Sequence, residues 1–404
     1  MMSGSATDHG PLAATDAADE ADIRPSIFCL LLSFLKLGAS AFGGPSMVAY
    51  IGKMAVEKKR WMSKESFFDG VALCQLIPGA TAMQTSAYVG LRTRGIIGAA
   101  VSFIGFGLPA FLLMIILSVL YARAHSLPAV VSAFGGLQAI IVAIVANAVV
   151  MFGRNALKNY RDVIIAVVAA IMFGFGFNPI LALLIAAFLG LARKADTSAR
   201  RPIAEWPAKS CFPKPLLILV VAATTGFALL FLLDRNLFDL AALMSIIDLF
   251  AFGGGFASIP LMFHEIVHVR GWMDGPTFLN GIVLGQITPG PIVITATFVG
   301  YSVRGLAGGL LATVSVFLPS FLLVVGIAPL SSRLFASPSL NKVLGGVLCS
   351  FVGLLLTVTV RFALNVQWNL IHIILSGTAF AALLLEVDIL WVVVVGALIS
   401  VIAG

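Results

Sequence analysis

Apolar residues run along this chain in long blocks, not in the short alternations of a soluble fold. No Asp, Glu, Lys or Arg occurs in residues 95–121, 128–153, 163–192, 215–233, 275–303, 305–332, 343–360 or 362–385. Each window is near or above the ~20 residues that a helix needs to cross a bilayer. The pattern predicts an all-α polytopic membrane protein. Several blocks are interrupted from within. "LGQITPGPIVIT" (284–295) sets Pro289-Gly290-Pro291 inside a charge-free stretch. Proline there removes a backbone donor and clashes with the preceding turn, so a straight helix cannot continue through it.

The interruption has a twin. "ALCQLIPGATAMQTSAYVG" (72–90) echoes "VLGQITPGPIVITATFVG" (283–300), and Gln75, Pro78 and Gly79 match Gln286, Pro289 and Gly290. The echo extends in both directions. Phe42-Gly43-Gly44 matches Phe252-Gly253-Gly254, Trp61-Met62 matches Trp272-Met273, Arg94-Gly95 matches Arg304-Gly305, Leu108-Pro109 matches Leu318-Pro319, and Gly135-Gly136 matches Gly345-Gly346. The offset stays at 210 or 211, which chance would not hold across some 100 residues. The chain therefore divides into an acidic tail expected to be disordered (1–25), a first half (26–192), a basic linker (193–214), an unpaired membrane helix (215–237) and a second half (238–404).

Basic residues orient the halves, because cytoplasmic loops hold the excess of Lys and Arg. Three connections of the first half carry Lys53, Lys58, Lys59, Arg60, Lys64, Arg92, Arg94, Arg154, Lys158 and Arg161, where the second half carries Arg270, Arg304 and Arg361. The connection after Tyr121 reverses the bias, with Arg123 against Arg333 and Lys342. Two inverted halves, flipped by the unpaired helix, account for this. Residues 66–91 must then enter and return on one side, as two half-length helices whose tip is Pro78-Gly79. The same logic makes re-entrant pairs of 26–52, broken at Gly43-Gly44-Pro45, and of 163–192, broken near Asn178-Pro179.

Irregular backbone at membrane depth is tolerated only inside protein or beside a wet cavity, and paired broken helices in inverted repeats point to a midplane transport site. Helix starts there offer N–H groups and positive potential to an anion. The candidate binding residues are Lys36, Gly43, Gly44, Gln75, Pro78, Gly79, Gly253, Gly254, Gln286, Thr288, Pro289 and Gly290, with Thr81, Gln84, Thr85, Ser86, Tyr88, Thr295 and Thr297 as neighbouring uncharged donors. For any single hydroxyl, the plainer reading is that it satisfies its own broken backbone. Lys36 and Asp248 are charges inside apolar stretches, at nearly equivalent repeat positions. They are expected either to pair structurally or to serve as an anion contact and a coupling carboxylate. Arg94 and Arg304 are expected to steer anions at the mouths, or to anchor the loops.

"FGGP", Lys59-Arg60-Trp61, "LCQLIPG" and "LPAFLL" in the first half, with "FGGGFASIPL", "GQITPGPI", "TATFVGY" and "FLPSF" in the second, resemble the chromate ion transporter family over nearly the whole chain from Ser26. The resemblance implies export of chromate, or a sulfate-like dianion, across the bacterial inner membrane by a protein that is not an enzyme. The sequence departs from that pattern at Pro78-Gly79-Ala80 and at Met47-Val48-Ala49.

Composition trims the rest. Hydrophobic residues make up 60% of the 404 and charged residues 11%, against roughly 25% charged in soluble domains. The net charge of +7 fits loops facing an anionic leaflet and does not suggest nucleic acid. Cys29, Cys74, Cys211 and Cys349 lack metal-ligand spacing, and no GxxxxGK[ST] loop occurs, so neither a metal, another cofactor nor ATP drive is expected. "HEIVH" (264–268) fits a zinc-protease pattern; it is read as an extramembrane loop with two interfacial histidines. Homodimerisation stays open.

Overall fold

The structure is a computed structural model that describes residues 24–42, 46–192, 213–330 and 337–403. Most of the expected tail and of the basic linker lies outside the described residues, as do Gly43, Gly44, Pro45 and Cys211. All regular structure among the described residues is helical. The first half contains α1 (Ile27–Ser40), α2 (Ser46–Gly52, prolonged by a π-helical turn Lys53–Lys58), α3 (Lys64–Leu76), α4 (Thr81–Ala124), α5 (Pro128–Ala156), α6 (Tyr160–Gly174) and α7 (Pro179–Gly190). Helix α8 (Pro213–Leu233) stands between the halves. The second half repeats the series as α9 (Arg235–Leu249), α10 (Ser258–Phe263, prolonged by a π-helical turn His264–Val269), α11 (Gly275–Ile287), α12 (Thr295–Ile327), α13 (Pro338–Asn365), α14 (Leu370–Leu384) and α15 (Ile389–Ala403).

Residues in the left-handed region mark the repeat in the backbone itself. Arg60 and Gly271 have φ of 50° and 59°, Gly79 and Gly290 116° and 105°, Gly95 and Gly305 65° and 60°, and Gly176 and Glu386 85° and 63°. At Arg94-Gly95 and Arg304-Gly305 the long helices α4 and α12 leave helical geometry. The chain folds back there, so that Gly90 abuts the backbone of Gly98 and Gly300 that of Gly308. Each long helix thus has a short arm, 81–93 or 295–303, followed by a crossing arm.

The short arms pair with the preceding helices. Tyr88 Oη donates to the Ser66 carbonyl at 3.2 Å, and its ring lies over Gly70. In the second half Gly281 lies against Phe298 and Gly285 against Thr295, an antiparallel order. So α3 with the short arm of α4, and α11 with that of α12, are re-entrant hairpins with tips at Pro78-Gly79 and Pro289-Gly290. Helix α1 ends at Ser40 and α2 begins at Ser46, on either side of the expected break at Gly43-Gly44-Pro45; the break near Asn178-Pro179 is present, with Asn178 capping α7 through Ile180 N at 2.8 Å.

Five described helices are long and apolar enough to cross a membrane: α4, α5, α8, α12 and α13. Two of these belong to each half and α8 stands alone between them, the arrangement that inverted repeats require. Asp234 caps α9 through Asn236 N and Leu237 N, so regular structure of the second half starts directly after α8.

The halves interlock through small residues. Helices α6 and α7 pack on α13, while α14 and α15 pack on α5. Gly346 approaches Ala186 and Gly190, and at the equivalent place in the other half Gly136 approaches Ser400. Close backbone approach of this kind is how helices associate where lipid removes any hydrophobic advantage. Substituting Gly346→Leu should lower stability by about 1–3 kcal/mol through overpacking. Gly226→Leu on α8, with no atom within 4 Å of the added carbon, should have little effect. Thermal unfolding of the purified protein in detergent checks both.

Candidate functional site

Four interrupted segments meet where the halves interlock. The Gly79 N–H donates to the Ala251 carbonyl just beyond α9, and the Gly290 N–H donates to the Ala41 carbonyl just beyond α1, both at 3.0 Å. The tip of each re-entrant hairpin is therefore bound to the broken helix of the opposite half. Both tip glycines are buried and have positive φ, a conformation that side chains strain. Gly254 lies beside Thr81 at the start of α4, and Gly255 packs on Ile292 and Val293.

A polar network hangs from the Gly79 tip. Asp248 is fully buried. Its carboxylate accepts from Ser320 N at 2.7 Å and from Ser320 Oγ at 2.9 Å. Gln84 Nε2 donates to the Pro78 carbonyl and, at 3.4 Å, to Ser320 Oγ. The local cause is Pro319, which has no N–H to donate to Ser315 O four residues earlier. Ser245 Oγ supplies the missing donor at 3.0 Å. Ser245 and Asp248 are three residues apart on α9 and share a face, so one face of α9 services the proline-disturbed turn of α12.

The first half treats Pro109 differently. The repeat counterpart of Asp248 is Gly38, which has no side chain and lies against the Phe106 carbonyl; that of Ser320 is Ala110, which lies against Gly290. This corrects the expected kinship of Lys36 and Asp248, since Lys36 aligns with Ile246. The two charges make no ion pair. Leu30, Phe34 and Gly38 form the buried face of α1, and Lys36 lies on the exposed side.

Other expected residues separate into those at the junction and those away from it. Gln286 is half-buried, and its Nε2 is buried without a hydrogen-bond partner; Gln84 Oε1 is likewise unpartnered. Gln75 is exposed. Thr85, Ser86, Thr288 and Thr295 donate to carbonyls of their own turns at 2.7–2.9 Å, as the plainer reading of these hydroxyls has it. Arg94 and Arg304 are tied down. Arg94 Nε donates to the Pro25 carbonyl, and Arg304 pairs with Asp234 at 3.6 Å. Each arginine fastens its Arg-Gly turn to the start of the first helix of its own half, the contact that an anchoring role requires.

Ser320, Ala41 and Ala251 were not foreseen. The signal for Ser320 is the residue after the repeated Leu-Pro, an alanine in one half and a hydroxyl in the other. Backbone acceptors leave no such mark. The "HEIVH" segment is helical instead of the expected loop, because it repeats the π-helical turn of Lys53–Lys58. His264 packs edge-on to Phe173 at 5.7 Å, and Glu265 pairs with Arg270 at 3.8 Å.

The two faces of the protein differ. A cavity of about 740 Å³ opens where α4 and α13 end and α5 and α11 begin, lined by polar side chains that include Gln138, Asn280, Asn365 and His372 and by no Asp, Glu, Lys or Arg. Gln138 Nε2 donates to Asn280 Oδ1 at 2.7 Å, and Asn280 Nδ2 to Tyr121 Oη at 2.9 Å. A cavity of about 850 Å³ between α1 and α2 is lined by Lys36, Lys53, Lys58 and Lys59.

Comparison with known proteins places the repeat. The family profile described as "Chromate transporter" matches twice, at residues 28–191 and 238–401. An uncharacterized transporter of Methanocaldococcus jannaschii is 41% identical over 95% of this chain and 96% of its own. A chromate transport protein of Pseudomonas aeruginosa is 32% identical over 87% and 85%, and a probable chromate transport protein of Synechococcus elongatus is 30% identical over 79% and 80%. No solved structure matches the chain.

Removing the Asp248 carboxylate by Asp248→Ala should leave the Ser320 N–H buried and unsatisfied, at a cost of about 1–3 kcal/mol. Asp248→Asn keeps one acceptor oxygen and should fall between wild type and Ala. Unfolding midpoints in detergent that do not differ among the three would remove the network from the account of the fold.

Proposed function

Because the chain belongs to the chromate transporter family, we propose that it exports chromate or a closely similar oxyanion from the cytoplasm, with its site at the junction of the two Pro-Gly tips. The observation that carries the site is the set of donors left there. Several helices begin with a side-chain cap, among them Ser26 for α1, Ser63 for α3, Asp234 for α9 and Asp274 for α11, while α5 starts from Leu127 without one, its first donor removed by Pro128. The helices that start at the tips, α4 and the 3₁₀ turn leading into α12, have none. A capping oxygen satisfies one of the orphan donors of a helix start; without one, the donors stay free for an anion. Gln286 Nε2 adds a side-chain donor.

The donors of this site are uncharged, Lys36 is not among them, and the one carboxylate beside the Gly79 tip, Asp248, is occupied by Ser320. Neutral donors bind a dianion without holding it as a fixed ion pair would, and a transporter has to release its cargo. Outward movement of a negative charge from an inside-negative cell yields about 2.3 kcal/mol per charge per 100 mV, twice that for a dianion. Export therefore runs on the membrane potential, or on an ion gradient, and would confer chromate resistance on a cell holding the protein in its plasma membrane. The cavity of about 740 Å³, which no Asp, Glu, Lys or Arg lines, is the outer vestibule in this reading.

The test is chromate uptake by inverted vesicles under an imposed potential. Accumulation that depends on the potential supports the proposal. Gln286→Leu should raise the half-saturating chromate concentration roughly tenfold, the value of one hydrogen bond of about 1.4 kcal/mol, and the exposed Gln75→Leu should change it little. Accumulation of sulfate or an organic anion in place of chromate would keep the site and replace the substrate. No transport of any anion would overturn the function.

A further inference from the structure

The lysine-lined cavity has no part in the site just described, and its chemistry differs. Helix α1 gives its buried face to α4, so the α1–α2 groove lies on the outer side of the hairpin. Its walls are apolar and open, with Phe28 67% exposed and Leu32 37% exposed. Lys36, Lys53, Lys58 and Lys59 project along it. None of the four ammonium groups has a carboxylate partner among the described residues.

The π-helical turn helps to assemble this array. Lys53 and Lys58 are five residues apart, which in an α-helix turns them about 140° away from each other. With i→i+5 bonding, the wider turn brings them closer to one face. The second half has the same π-helical turn without the charges: His264 stands for Lys53, Val269 for Lys58 and Ile246 for Lys36, and only Arg270 remains basic, opposite Lys59. Since the halves are inverted, the basic groove exists on one side of the membrane alone, the side of the lysine- and arginine-rich connections. By the distribution of basic residues that side is cytoplasmic, where anionic headgroups are concentrated.

We infer that the α1–α2 groove is a binding site for one anionic phospholipid of the cytoplasmic leaflet, with the headgroup phosphate among the lysines and an acyl chain along Phe28 and Leu32. A hydrated inorganic anion would gain from the lysines but nothing from the open apolar wall. A lipid matches both. The inference does not depend on which anion the protein carries.

The experiment is native mass spectrometry of the full chain extracted from nanodiscs that contain phosphatidylcholine and phosphatidylglycerol in equal amounts. Phosphatidylglycerol should be retained preferentially. Lys53→Gln with Lys58→Gln should weaken retention by about 10- to 30-fold, since each basic residue near the surface contributes roughly a fivefold factor. Its unfolding midpoint in lipid-free detergent should stay unchanged. Equal retention of both lipids would overturn the inference. So would displacement by millimolar inorganic phosphate, which would make the groove an anion vestibule. A wild-type mass of two chains that the double variant reduces to one would assign the groove to a second copy and overturn it equally.

Discussion

The hydrocarbon core holds no water to satisfy an interrupted helix, so every N–H and C=O freed there must find a partner within the protein or beside a wet cavity. This chain interrupts itself after α1, at Pro78-Gly79, after α9 and at Pro289-Gly290, and it meets the demand by exchange. The Gly79 N–H goes to Ala251 and the Gly290 N–H to Ala41, so each tip glycine has its N–H satisfied by the opposite half. Much of the architecture derives from that exchange. The halves have to be inverted for tip and break to meet at the same depth, and α8 supplies the odd crossing that inverts them. The reciprocal packing of α6 and α7 on α13, and of α14 and α15 on α5, surrounds the junction with protein.

Symmetry governs the backbone more strictly than the side chains. Both halves place a proline in the crossing arm that faces the preceding broken helix. In the second half, Ser245 and Asp248 supply what Pro319 disturbs. In the first, Gly38 lets the Phe106 backbone come close. A buried carboxylate is a demanding solution, since removing its partner leaves a polar group stranded in a region of low dielectric. A glycine makes no such demand.

The sequence showed the repeat, the inversion, the re-entrant hairpins and the tips plainly, because prolines, glycines and basic loops are discrete signals that a constant offset brings into register. It misled where significance lay in an absent side chain. Lys36 and Asp248 drew attention as the charges in apolar runs. The residue that corresponds to Asp248 is Gly38, whose importance is the space it leaves. For Arg94 and Arg304 the sequence left steering and anchoring open, because their partners, the Pro25 carbonyl and Asp234, lie some 70 residues away in sequence. Gln75 and Gln286 looked equivalent, yet one is exposed and the other has its amide nitrogen buried. Repeat position fixes the backbone, and burial depends on what the other half presents at that point.

The two tips are consequently held with unequal strength. The Gly79 tip has its exchanged backbone bond and, in addition, the chain from the Pro78 carbonyl through Gln84 and Ser320 to Asp248. The Gly290 tip has its backbone bond and a methyl contact with Ala110. Hydrogen bonds that polarise one another in a dry interior reinforce each other, whereas a methyl contact contributes only dispersion. The unpartnered donor Gln286 Nε2 belongs to the less firmly held hairpin, and that hairpin belongs to the half whose connections carry few basic residues. Two near-identical backbones thus set a rigid, polar-braced tip against a looser one with a free donor, and the inverted repeat turns this difference into a difference between the two sides of the membrane.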